Sequence, residues 1–314
     1  MTAPARRRLG TSELEVFPLA LGSNVFGWTA DEETSFEVLD DFLRYGGNLI
    51  DTADSYSFWK PGNSGGEAET IIGRWLASRG SREDIVLASK VSQHPQFKGM
   101  APATIHRGID ASLGRLGVET IDLYYAHFDD ADTPLEDSVA AMSALVDAGK
   151  VRYLGISNYT PERIERWLEL ADAGGYHRPV ALQPQYSLIE RGIEDTLLPI
   201  AQREGLAVLP YYALARGFLT GKYRAGSSVD SPRAEIASAY LDGRGMRVLT
   251  ALETIAEGHG VAMATIALAW LAARSTVAAP IASARNRAQL PDLVAHAAVN
   301  LSDEDVARLD AASA

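Results

Sequence analysis

The chain has 314 residues, 46% of them hydrophobic and 22% charged, with a formal net charge of -12. That is enough chain for one large core or two ordinary domains, in a composition typical of globular proteins, which excludes disorder on a large scale. The acidic balance excludes a nucleic-acid partner, which needs a basic face, and the lack of any cysteine excludes disulfides and thiolate chemistry and suits a cytoplasmic protein.

The first basic run, Arg6, Arg7 and Arg8, is not followed by the apolar stretch of a signal peptide, and no apolar run along the chain is long enough to cross a bilayer. Arg8-Leu9-Gly10-Thr11-Ser12, followed by Leu14 to Val16, predicts a short hairpin. Eight runs then read as strands: 17–22, 48–51, 84–90, 121–126, 153–157, 180–183, 207–211 and 277–281. They are mostly apolar rather than alternating, as parallel strands buried on both faces tend to be. After the second strand, the Gly62 to Gly66 loop resembles a phosphate cradle but lacks the Lys-Ser/Thr ending of a P-loop, and predicts a turn into a helix near Glu67. Thr133-Pro134-Leu135-Glu136 and Thr160-Pro161-Glu162 read as helix starts, a capping hydroxyl followed by proline at the first helical position.

Eight strand-helix units without a dividing linker predict a single-domain (β/α)8 TIM barrel over residues 1–314, with the hairpin at the barrel bottom. An open doubly wound sheet is the competing architecture, but no G-x-G-x-x-G follows any strand.

On this assignment Asp51, Lys90, His127, Ser157 with Asn158, Gln183 and Tyr211 all fall at strand C-termini, the end where barrel enzymes place their chemistry. Singly, each has a structural explanation: a turn cap, a solvated strand end, a satisfied imidazole. Together with Tyr56 in the second loop they suit proton transfer to a developing alkoxide. A neighbouring Lys90 ammonium lowers the pKa of a phenol, Asp51 holds Lys90, and His127 orients a carbonyl oxygen. Asp51, His127, Asp129 and Asp130 have no metal-ligand spacing, so no metal is assigned.

The segments Asp51-Thr52-Ala53-Asp54-Ser55-Tyr56, Leu87 to Lys90, Asp122 to His127, Gly155 to Tyr159 and Gly217 to Lys222 resemble the aldo-keto reductase family, in family order and across essentially the whole chain. The resemblance implies a nicotinamide-binding (β/α)8 barrel with Asp51, Tyr56, Lys90 and His127 as its catalytic positions. It places Ser157, Asn158 and Gln183 at the nicotinamide carboxamide and Tyr211 against the ring. Tyr212, Leu214, Arg216 and Gly217 fall beside the pyrophosphate, and Ser283, Arg285 and Gln289 at the adenosine phosphate. Arg285 suits a 2'-phosphate, so NADPH is expected over NADH. Asn24, Trp28, Phe58, Trp59 and Phe128 are expected to border the substrate, a small carbonyl compound, or else to cover the barrel rim. The expected reaction is reversible reduction of an aldehyde or ketone with Tyr56 as proton donor; a cofactor-binding sensor or regulatory subunit is the alternative.

Overall fold

A computed structural model describes residues 5–224 and 234–314; residues 1–4 of the expected domain, and 225–233, lie outside it. Strands β1 (Arg7–Arg8) and β2 (Glu15–Val16) pair antiparallel, the hairpin the sequence predicts. The chain continues through β3 (Ala20–Gly22), β4 (Leu49–Asp51) and β5 (Val86–Val91), then a small hairpin of β6 (Gln93–His94) and β7 (Phe97–Lys98). Next come β8 (Ile121–Ala126), β9 (Val151–Ser157), β10 (Pro179–Gln183), β11 (Ala207–Val208) and β12 (Ile281–Ala282). The parallel sheet has the order β11-β10-β9-β8-β5-β4-β3-β12. Its two ends meet at an isolated parallel bridge between Val208 and Val277, where the Val208 amide donates to Thr276 and the Ala278 amide to Val208. The fold is the TIM barrel.

The last two barrel strands are shorter than the sequence predicts. Residues 207–211 form a ladder only over Ala207–Val208, and 277–281 only from Ile281 onward. Pro210 and Pro280 have no N–H to contribute. Their carbonyls still accept, from the Ile281 and Ala20 amides at 2.8 and 3.0 Å, so the wall is held by single bonds there.

Helices α1 (Glu32–Arg44), α2 (Glu67–Arg79), α3 (Pro102–Leu116), α4 (Leu135–Asp147), α5 (Pro161–Gly174) and α6 (Leu197–Glu204) alternate with the strands. After β11 come a short α7 (Ala234–Ser238), then α8 (Gly243–His259) and α9 (Met263–Ala272); α10 (Leu290–Val294) and α11 (Asp303–Ser313) follow β12, with α11 packed on α8. Thr160 caps α5 as its sequence predicts, accepting from the Arg163 amide. Thr133 does not cap α4: Pro134 holds that position, and the Thr133 hydroxyl donates instead to Asp130 at 2.7 Å. The Gly62–Gly66 segment is a turn, its Ser64 and Gly65 amides donating to the Glu67 carboxylate rather than facing outward as an anion cradle.

Inside the barrel, Leu9, Leu14 and Val16 of the hairpin pack with Leu49, Val86, Leu123 and Val180, closing the end opposite the strand C-termini. Gly10 makes the close approach possible. Its φ is +55°, and a Cβ there would lie 2.3 Å from the Val180 carbonyl oxygen. A second, larger cluster fills the space between strands and helices. Among the described residues no single helix is long and apolar enough to cross a membrane; α8 and α9 pass together only as a pair bent by 96°, and α9 is almost wholly buried.

Candidate active site

Asp51 ends β4 and Lys90 is the penultimate residue of β5, so the parallel register brings two adjacent strand ends together. Lys90 Nζ donates to Asp51 Oδ2 at 2.7 Å, to the Thr52 carbonyl at 2.7 Å and to Tyr56 Oη at 2.8 Å. All three of its donors are therefore used. The Tyr56 hydroxyl lies 3.4 Å from the same Asp51 oxygen, while Asp51 Oδ1 accepts from Gln183 Nε2 at 2.8 Å. The Lys90 and Asp51 side chains are 0% and 2% exposed, which makes this pair a buried charge couple rather than a surface bridge.

His127 follows β8, its ring 6.2 Å from that of Tyr56. Among the described residues Nδ1 is buried without a partner, and the side chain lines a cleft, so Nε2 is the nitrogen left to serve a ligand there. Burial, helped by the Lys90 charge, holds the imidazole well below its usual range. It is neutral near pH 7 and can donate one hydrogen bond without acting as an acid.

The phenol of Tyr56 departs from expectation. Its pKa is pushed well above the ordinary tyrosine value, first by burial and then by the Asp51 carboxylate. The Lys90 ammonium is in place but does not outweigh these. Burial also draws Lys90 below the usual lysine range, against the pull of Asp51. The resting site thus holds Tyr56 as a phenol, with a cation ready beside its oxygen.

These groups open onto a cleft of about 750 Å³ at the C-terminal end of the strands. Its walls include Asp51, Tyr56, His127, Asn158, Gln183, Tyr211, Tyr212, Leu214, Arg216, Gly217, Ser283, Arg285 and Gln289. Asn24, Trp28, Phe58, Trp59 and Phe128 are there too. Lys90 and Ser157 are not on the wall: each lies behind it and holds residues that are. Ser157 Oγ donates to the Gln183 carbonyl at 2.8 Å and accepts from Asn158 Nδ2 at 2.9 Å. Asn158, with φ +57°, donates also to the His127 carbonyl, and its Oδ1 accepts from Tyr211 Oη at 2.7 Å. One lone pair on that oxygen remains for a ligand N–H.

Farther along, Tyr212, Ala215, Arg216 and Gly217 all have positive φ, and the Arg216 guanidinium stacks 4.0 Å from the Tyr212 ring centre. Ser283 Oγ donates to Asn24 Oδ1, and Gln289 Oε1 accepts from the Arg285 amide. Among the described residues no carboxylate pairs with the Arg285 guanidinium. Trp28, Trp59 and Phe58 meet edge to face, with ring centres 5.7 and 5.6 Å apart, above Tyr56.

Sequence reasoning missed Lys222, Gln93 and Gln185, which also line the cleft. Lys222 ends the Gly217 to Lys222 motif, and its Nζ lies 3.6 Å from where a Cβ on Gly217 would stand. The donor set fits a nicotinamide dinucleotide: an amide acceptor and the Tyr211 ring near Tyr56, and guanidinium and ammonium groups farther along for phosphates.

The Aldo/keto reductase family profile matches residues 18–314. Protein tas of Escherichia coli is 33% identical, over 97% of this chain and 96% of its own. The norsolorinic acid reductase stcV of Emericella nidulans is 32% identical, over 95% and 78%. A probable voltage-gated potassium channel subunit beta of Arabidopsis thaliana is 31% identical, over 91% and 89%.

Proposed function

This chain belongs to the aldo/keto reductase family, oxidoreductases of carbonyl and alcohol groups, and from that premise we propose that it reduces aldehydes or ketones with NADPH, using Tyr56 as the proton donor. The observation that carries this reading is the short chain of contacts Asp51–Lys90–Tyr56, open to a cleft beside a neutral His127.

When bound, a reduced nicotinamide supplies hydride to the carbonyl carbon. The remaining work is done by the chain's own side chains. His127 Nε2–H and Tyr56 O–H hold the carbonyl oxygen. As negative charge develops there, the Tyr56 O–H bond breaks toward it, and the phenolate left behind is stabilised by Lys90 Nζ at 2.8 Å. Asp51 keeps Lys90 charged in a buried position. The aromatic mouth of Trp28, Phe58, Trp59 and Phe128 supports a substrate with a flat apolar body. One cytoplasmic barrel domain over residues 1–314 carries both binding functions in this reading.

The likeness to a channel beta subunit favours a second reading, cofactor binding with little turnover. Purified protein mixed with NADPH and a panel of aryl aldehydes, followed by cofactor absorbance, separates the two. Turnover is expected, with Tyr56→Phe losing about 10²-fold or more of it while still binding cofactor. Cofactor binding without turnover on any aldehyde would sink the reductase reading.

A further inference from the structure

Behind the Lys90 contacts lies an acid that the proposed reaction does not use. Asp54 sits in the turn after β4, 0% exposed, its amide donating to the Lys90 carbonyl at 3.2 Å. Among the described residues neither of its carboxyl oxygens has a hydrogen-bond partner of good geometry. Glu69 of α2, also fully buried, is nearby and is served by Ser89 Oγ and by Arg115 Nε of α3 at 2.7 Å. Burial first, then both acids, push the Tyr124 phenol of β8 well above its usual range.

The charges do not balance. Three buried carboxyls, Asp51, Asp54 and Glu69, share two cations, Lys90 and Arg115. Asp51 and Glu69 each have a cation in contact; Asp54 has none. A buried acid without a donor keeps its proton. Burial first, then the Glu69 charge, push Asp54 up to about 8, against the pull of Arg115, of the adjoining Ser55 as a weak donor, and of Lys90.

We propose that Asp54 is a positioning residue whose protonation state sets the charge environment of Lys90 and, through it, the strength of Tyr56 as an acid. The inference rests on the reductase reading only for its kinetic consequence. Below the transition Asp54 is a neutral acid, and Lys90 answers to Asp51 alone. Above it a second buried carboxylate, tied to the Lys90 main chain through its own amide, adds its charge to that of Asp51, strengthening the ammonium but making a phenolate at Tyr56 costlier. Reduction therefore slows as pH rises through about 8. Each unit by which Tyr56 is weakened is about a tenfold change in its proton-transfer equilibrium.

The lysines are few, Lys60, Lys90, Lys98, Lys150 and Lys222, so the Lys90 signal can be followed by NMR in protein labelled with carbon-13 at the lysine ε position. In the intact protein it is expected to show an inflection near pH 8. Asp54→Asn should remove that inflection, together with the matching limb of the pH profile for reduction of a nitro-substituted benzaldehyde. Glu69→Gln should move both to lower pH, because the charge that raises Asp54 is gone. An inflection unchanged in Asp54→Asn overturns the proposal. Should that variant fail to fold, one unmoved in Glu69→Gln does so. The NMR arm needs no turnover: an inflection that responds to both variants, in a protein that reduces no carbonyl, supports the coupling while overturning the reaction.

Discussion

The guanidinium of Arg285 lines the cleft with no carboxylate partner among the described residues, whereas Arg115, Arg163 and Arg178 are each held in ion pairs. On the proposed function its partner is the 2'-phosphate of NADPH. Arg285→Ala is then expected to raise KM for NADPH about tenfold or more, the worth of a charge-assisted hydrogen bond, and to leave KM for NADH nearly unchanged. Steady-state kinetics with both cofactors checks this; equal effects on the two would assign Arg285 no role at that phosphate. The clustering of Asp51, Tyr56, Lys90 and His127 was legible because each stands at or just past the end of an apolar run, where barrel topology gathers strand ends. Asp54 lies inside the Asp51–Tyr56 segment, yet nothing in the sequence says that Glu69 and Arg115, from two different helices, will close around it. The direction of the Tyr56 shift was equally hidden. Spacing brings Lys90 to the phenol but does not measure how little water reaches either.

At the level of elements, the strands were legible as apolar runs, but their ends were not. Where proline interrupts, at Pro210 and Pro280, side chains still face the core while the ladder lapses. A hydrophobic pattern reports burial, not hydrogen bonding. The two threonine-proline helix starts divide for a similarly local reason: Thr160 finds the Arg163 amide, while Thr133 is taken by Asp130, a competitor in the preceding loop. The hairpin at the barrel bottom was readable from its turn residues, and its fit depends on Gly10. Gly10→Ala places a methyl against the Val180 carbonyl in a left-handed conformation. It is expected to cost about 1–3 kcal/mol, read as a lower urea midpoint. Activity per folded molecule should persist, since Gly10 lies at the opposite end of the barrel from Tyr56. A loss of kcat at unchanged stability would contradict that separation.

The whole molecule carries a net charge of -12, yet its cleft gathers Arg216, Lys222 and Arg285, so the acidic exterior surrounds a locally basic mouth suited to an anionic ligand. That mouth straddles the Val208–Val277 bridge, with Tyr211 following β11 on one side and Ser283 and Arg285 following β12 on the other. Strand β8 is laddered to neighbours on both flanks, whereas the closing pair is joined by isolated bonds. Hydrogen-deuterium exchange should accordingly be faster at the amides of Val208 and Ala278 than in β8, and slow on adding NADPH; a seam as protected as β8 without ligand would argue against this. The barrel is then a clasp as well as a scaffold, and the molecule that fills its cleft is also what fastens it shut.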